Sequence, residues 1–251
     1  MPYRFATEQE DYTDYASGRV FYNAPGAPAF PVRLVSELFL RALAVRRRLG
    51  LTAPVVIYDP CCGSAYHLTA LGHLHGEQID AVLASDIDAR LLAVAERNLS
   101  LLTPAGLAWR QAELAELLQR HGKESHAGAL ASAQRLLERV KALAHPVRTH
   151  LFCADATDPA ALRLQLAGAT PDLVIADVPY GQHSAWQGAY AAETAHPPLW
   201  WMLAALRPLL PVTTVVAIAA DKAQRIEHAG YRRLDRFPLG KRQIVLLQPA
   251  A

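Results

Sequence analysis

The chain has 251 residues, 52% hydrophobic and 19% charged, with a formal net charge of +2. That balance excludes an extended disordered chain and suits one compact α/β unit; the basic excess is too small to identify a nucleic-acid binder by charge alone. Three cysteines (Cys61, Cys62, Cys153) exclude a disulfide framework and point to reduced thiols in the cytoplasm, while no run approaches the ~18 apolar residues of a membrane span and no apolar leader follows Met1.

Residues 1–30 read as an irregular polar and aromatic arm. Pro31 opens a helix whose apolar stripe runs through Val32, Val35, Leu38, Phe39, Ala42 and Leu43, and Arg46-Arg47-Arg48 close it before Gly50. Val55–Tyr58 is a short apolar strand, followed by the loop Asp59-Pro60-Cys61-Cys62-Gly63-Ser64 and a helix near 65–75. Ala81–Ala84 is a second strand, ending at Ser85-Asp86-Ile87-Asp88; Asp88 is placed to cap the next helix. Two helical patterns, 107–120 and 127–144, then interrupt the rhythm, so residues 104–146 are expected to be a helical insertion. Strands resume at 149–154, 172–176, 213–219 and 243–247, with a helix at 200–209. Alternating apolar strands and helices predict a mostly parallel sheet covered on both faces, in one domain spanning 1–251.

In such a sheet a ligand sits beyond the carboxyl ends of the strands. Four strands end there in an acid: Asp59, Asp86, Asp155 and Asp177. The first loop has Gly63 for close backbone approach and Ser64 as a helix cap, but lacks the several glycines that a pyrophosphate needs. Asp59 is expected to face the ligand, which suits an ammonium group and no phosphates, as in S-adenosylmethionine (SAM). Asp86, about 20 residues past the glycine, stands where a carboxylate accepts from both ribose hydroxyls, with Ile87 beside it. Asp155 is placed to accept from the adenine amine while the Ala156 N–H donates to the ring. Cys61 is read as a small packing residue beside the cofactor.

Asp177-Val178-Pro179-Tyr180-Gly181 resembles the Asn/Asp-Pro-Pro-Tyr motif of methyltransferases acting on amino nitrogens of bases, with Val178 in place of the first proline. A side-chain oxygen and a main-chain carbonyl accept the amine hydrogens and localise its lone pair, and Tyr180 offers a face for a flipped base. Each feature also has a plainer reading as turn chemistry or a helix cap; their order along the chain favours the site.

These runs, together with Ala24-Pro25-Gly26-Ala27-Pro28-Ala29-Phe30-Pro31-Val32-Arg33-Leu34, resemble the Rossmann-fold avilamycin-resistance rRNA methyltransferases. The resemblance covers most of the chain. It implies a seven-stranded class I methyltransferase fold, SAM as cofactor, a guanine nitrogen of 23S rRNA or the large ribosomal subunit as target, and resistance to orthosomycin-type antibiotics. A monomer with no metal and no membrane association is expected. Ala65 departs from the pattern, where glycine is usual, and is expected to narrow the methionine end of the pocket. A methyltransferase acting on DNA or a small molecule is the alternative function. An NAD-dependent dehydrogenase is a third, opposed by the glycine-poor first loop. Cations considered for RNA contact are Arg46, Arg47, Arg48, Arg232, Arg233, Arg236, Lys241 and Arg242. Trp186 is the stacking candidate, and Trp200-Trp201 are read as core.

Overall fold

The computed structural model describes all residues except 1, 2, 9, 25–29, 180–184, 193, 194 and 251. The elements run α1 (Val32–Arg48), β1 (Val55–Asp59), α2 (Tyr66–His75), β2 (Ile79–Asp86), α3 (Ala89–Ser100), α4 (Pro104–His121), α5 (Glu124–Ala142), β3 (Arg148–Cys153), α6 (Pro159–Leu166), β4 (Leu173–Asp177), α7 (Pro198–Leu206), β5 (Val215–Asp221), β6 (Tyr231–Leu239) and β7 (Arg242–Pro249). The seven strands lie in the order β3-β2-β1-β4-β5-β7-β6. The first five pair in parallel, and β7 runs antiparallel to both neighbours.

Each central strand is buried on both faces, so its alternate residues feed two different cores. Ile57, Leu173, Ile175, Val215, Ala217 and Leu246 face α1 and α2, where they meet Leu34, Leu38, Phe39, Leu68 and Leu71. Their neighbours Tyr58, Val174, Ala176, Val216, Ile218 and Leu247 face α6 and α7, against Leu162, Leu166, Met202 and Leu203. This explains why the strands read as continuous apolar runs.

The strand 231–239 was not predicted. It carries Arg232, Arg233, Asp235, Arg236 and Pro238 at the sheet edge, where charge and proline are tolerated because one side of the ladder is unpaired.

The arm is more tightly built than its composition suggests. Tyr15, Val20 and Phe21 are buried in a third apolar cluster with Leu107, Leu114, Ala133 and Leu136 of the α4–α5 insertion. Arg110 Nε donates to the Val20 carbonyl at 2.9 Å, and Arg19 Nε to Ser132 Oγ at 2.7 Å. Asp88 caps α3 as its position predicts, and Asp158 caps α6.

Candidate active site

The chain moves outward from β1 to β2 and β3, then returns to place β4 on the other side of β1. Neighbouring connections therefore diverge between β1 and β4, which opens a crevice at their carboxyl ends. A cavity of about 820 Å³ occupies it, toward the large end of small-molecule sites. Cys61, Gly63, Ser64, Asp86, Ile87, Asp155, Ala156, Asp177, Val178 and Pro179 all line this one space. Tyr180 lies outside the described residues.

Asp86 sits at the centre. Its Oδ2 accepts from the Gly63 N–H at 2.8 Å and its Oδ1 from the Asp88 N–H at 2.9 Å. Each oxygen retains a second acceptor position. Burial pushes the carboxyl above the usual aspartate range, and the two N–H donors only partly offset this. A ligand whose hydroxyls donate to Asp86 favours the ionised form. SAM affinity is therefore expected to decline on acidification at a higher pH than the protonation of an ordinary aspartate, with a pKa of about 3.9, would set. Asp86→Ala is expected to raise the SAM Kd roughly 10- to 100-fold by calorimetry.

Asp155 is partly committed within the protein. Thr157 donates through its N–H (2.8 Å) and hydroxyl (2.6 Å) to Oδ1, and the Ala189 N–H donates to Oδ2 at 3.0 Å. Asp155 thus anchors the 185–189 segment, whose Trp186 and Gln187 also line the cavity. Gly188 has φ +94°, and a Cβ there would lie 2.0 Å from Asp155 Oδ2. Gly188→Ala is expected to detach this segment and raise the SAM Kd about tenfold, with a change in Trp186 fluorescence.

The Asp59 expectation needs correction. Asp59 is fully buried and absent from the cavity wall. Its Oδ1 accepts from the Cys61 N–H at 2.8 Å, and its Oδ2 lies 2.7 Å from His67 Nε2. A buried carboxylate needs such partners, and His67, the second residue of α2, stands at ion-pair distance from it. It is His67 that reaches the cavity. Ser64 does not cap α2 either: the cap position is Ala65, with no side-chain hydrogen bond. Ala65 has φ +53° and is buried away from the cavity, so glycine's usual place there reflects backbone conformation and not pocket width.

Burial, followed by the charges of Asp59, Asp86 and Asp155, pushes the Cys61 thiol up. A thiol so placed makes a poor nucleophile. Among the described residues, no group of three or more His, Cys, Asp or Glu is arranged to hold a metal. His73 is enclosed by Tyr15 and Phe21, and His75 stacks on Phe39.

At the β4 tip, Asp177, Val178 and Pro179 all border the cavity, and Val178 is only 1% exposed. The Val178 N–H donates to the Ala219 carbonyl at 3.1 Å. This explains the valine: proline would lose the bond that holds the loop to β5. Gln224 Nε2 donates to the Pro179 carbonyl at 3.1 Å.

The candidate cations separate by position. Arg46 is buried and pairs with Asp172 at 2.6 Å, at the amino end of β4 and away from the cavity. Arg232 and Arg233 begin β6, opposite the final residues of β7, and also lie at the far end. Only Lys241 and Arg242 line the cavity. Trp200 and Trp201 are half-buried and stack on His196 and Tyr190 outside the core, whereas Trp186 borders the cavity.

The model of the family described as rRNA methyltransferase AviRa matches residues 1–242. The chain belongs to the AviRa rRNA methyltransferase family. An AviRa-family relative from Streptomyces viridochromogenes, named 23S rRNA (guanine(2535)-N(1))-methyltransferase, is 43% identical over 99% of this chain and 96% of its own. Two structures of rRNA methyltransferase AviRa from that organism superpose with TM-scores of 0.87 and 0.86, at 43% and 40% identity, each over 99% of this chain and 96% of theirs. The AviRa fold is thus the fold seen here.

Proposed function

We propose that this chain transfers a methyl group from SAM to N1 of a guanine in 23S rRNA, as the name of its Streptomyces relative states for that protein. The observation that carries this reading is the convergence of Asp86, Asp155 and Asp177 from β2, β3 and β4 on one cavity. The donor set fits SAM: Asp86 has acceptor capacity for two hydroxyls, Ile87, Leu91 and Val94 give an apolar wall, and among the described residues Gly63 is the one glycine on that wall, too few to cradle a phosphate. We assign adenine to the β3 end, beside Asp155, Ala156 and Trp186, ribose to Asp86, and the amino-acid end to Cys61, Gly63, Ser64 and His67. Bound in that order along the sheet, SAM supplies an electrophilic methyl group next to β4.

Asp177 then stands at the reacting end. Guanine N1 is a ring amide nitrogen with one hydrogen, and its lone pair is withheld until that proton leaves. A carboxylate within reach accepts the proton. The buried Val178 bond and the Gln224 bond hold the 177–179 turn in place, so Asp177 is presented by a fixed backbone. Tyr180, the following residue, is proposed to stack on the base withdrawn from its helix. We further propose that residues 1–251 work as one domain, with the arm and the α4–α5 insertion adding to RNA recognition, and that the enzyme acts as a cytoplasmic monomer and protects ribosomes from orthosomycin-type antibiotics.

Transfer of tritium from methyl-labelled SAM tests the proposal, with 23S rRNA, large ribosomal subunits, duplex DNA and NAD-linked turnover compared in parallel. Incorporation is expected in 23S rRNA or subunits, as N1-methylguanine, and is expected to weaken with salt as phosphate contacts are lost. Incorporation into DNA alone, or none into either ribosomal substrate, refutes it.

A further inference from the structure

The hairpin joining β6 to β7 brings a cation to the rim of the cavity opposite Asp177, and neither family membership nor the strand-tip acids account for it. Arg242 opens β7, paired with Asp221 on β5 and with Leu239 on β6. Its Nε lies 3.8 Å from Asp177 Oδ1, within ion-pair range but longer than a hydrogen bond. The two side chains are 25% and 23% exposed, and both line the cavity, so a ligand can reach both. The Arg242 guanidinium carbon stands 5.4 Å from the centre of the Phe30 ring, which limits its swing. Lys241, beside it, is exposed and suits a phosphate.

The strand bearing Arg242 is tied to the Asp177 turn. Gln243, 4% exposed, donates to the Asp221 carbonyl at 2.9 Å and also to the Gln224 carbonyl, and Gln224 in turn holds Pro179. The Lys222 N–H donates to the Lys241 carbonyl at 3.2 Å. Carboxylate and guanidinium are therefore held by one hydrogen-bonded frame.

We propose that Arg242 is the second half of a guanine-reading pair, binding O6 of the target base while Asp177 accepts from N1–H. This rests on the function proposed above. Guanine offers two adjacent donors, N1–H and the 2-amino group, and beside them the acceptor O6. Asp177 matches the donors and Arg242 the acceptor. Adenine inverts the pattern: its N1 lone pair meets the carboxylate and its amino group meets the guanidinium, so both contacts repel. Arg242 also acts on the chemistry. The N1 proton passes to Asp177, and the electron pair left behind is shared between N1 and O6, where the guanidinium stabilises it. The N1 pair forms the new bond to the methyl carbon as the carbon–sulfur bond breaks, with its electrons staying on sulfur. Asp177 then releases the proton to water, so one proton is liberated per methyl transferred.

Single-turnover methylation of 23S rRNA by the full-length enzyme, followed across pH, tests this. Arg242→Gln is expected to slow transfer about 100-fold at pH 7, leave the SAM Kd unchanged, and displace the rising limb of the pH profile to higher pH, because N1 must then ionise without its partner charge. Arg242→Lys, which keeps the charge, is expected to restore part of the rate and most of the profile. A full rate in Arg242→Gln, or an equal loss at every pH that Arg242→Lys does not relieve, overturns the proposal. If the wild-type enzyme makes no N1-methylguanine, the function proposed above fails first; if wild type makes it and the profiles coincide, only the role of Arg242 fails.

Discussion

Asp177→Ala is expected to lower the rate of methyl transfer about 1,000-fold while changing the SAM Kd less than threefold. Asp177 ends β4, one strand beyond the loop assigned to the amino-acid end of the cofactor. By its place in the sheet it is assigned to the reacting end and not to the nucleoside end. The backbone that follows is anchored independently of the carboxylate, through the Val178 N–H and the Pro179 carbonyl. Removing the side chain therefore leaves the turn in place, and the loss falls on proton removal. Single-turnover rates and calorimetry on the same preparation check this. A SAM affinity lost to the same degree as in Asp86→Ala contradicts the assignment of roles.

Glu37→Ala is expected to cost about 3 kcal/mol of stability, a fall in Tm of roughly 6–12 °C for a domain of this size. Glu37 is fully buried on α1. Its carboxylate accepts from the N–H groups of Arg4 (2.7 Å), Phe5 (2.9 Å) and Ala6 (2.8 Å), and from Arg41 Nε (2.6 Å). Arg33 completes the clamp by donating to the Ala6 and Thr7 carbonyls. Alanine leaves three N–H groups unpaired and Arg41 with only part of its compensation, since Asp235 still pairs with it at 2.8 Å. Burial pushes the Glu37 carboxyl up, but the N–H donors and Arg41 outweigh it and hold it below the usual glutamate value of 4.5. An acid depressed in the folded state stabilises above its unfolded value and loses that effect as pH falls through its folded one. The gap in Tm between wild type and Glu37→Ala is therefore expected to be widest near neutrality and to narrow below about pH 4. Thermal melts across pH, with protease cleavage of the arm as a second readout, measure both effects.

Much of the fold was legible because its signals are local. The strands β1 to β5 and β7 announce themselves as apolar runs, Asp88 as a cap, and α4 and α5 as helical stripes that interrupt the alternation. The acids Asp86, Asp155 and Asp177 follow from a positional rule about strand ends, and the structure brings them to one cavity. What escaped depends on partners distant in sequence. Asp59 ends a strand like the others, but His67 claims it, and nothing in the loop's composition shows that pairing. Arg46 looks like a solvated helix end until Asp172, 126 positions later, is folded beside it. The arm reads as irregular because its buried aromatics match the apolar faces of α4 and α5, some 90 to 120 residues on. The strand β6 escaped because an edge need not be apolar on both faces. Arg242 was one cation among eight until the antiparallel turn of β7 carried it to the carboxyl end of the sheet.

The central claim is spatial: one cofactor lies along the tips of β3, β2, β1 and β4 in that order. A crystal structure of the complex with S-adenosylhomocysteine tests it most directly. Adenine beside Asp155 and Trp186, both ribose hydroxyls on Asp86, and sulfur facing Asp177 is the predicted result. A nucleoside bound in any other cleft, or in this cavity with its sulfur turned away from Asp177, contradicts the account.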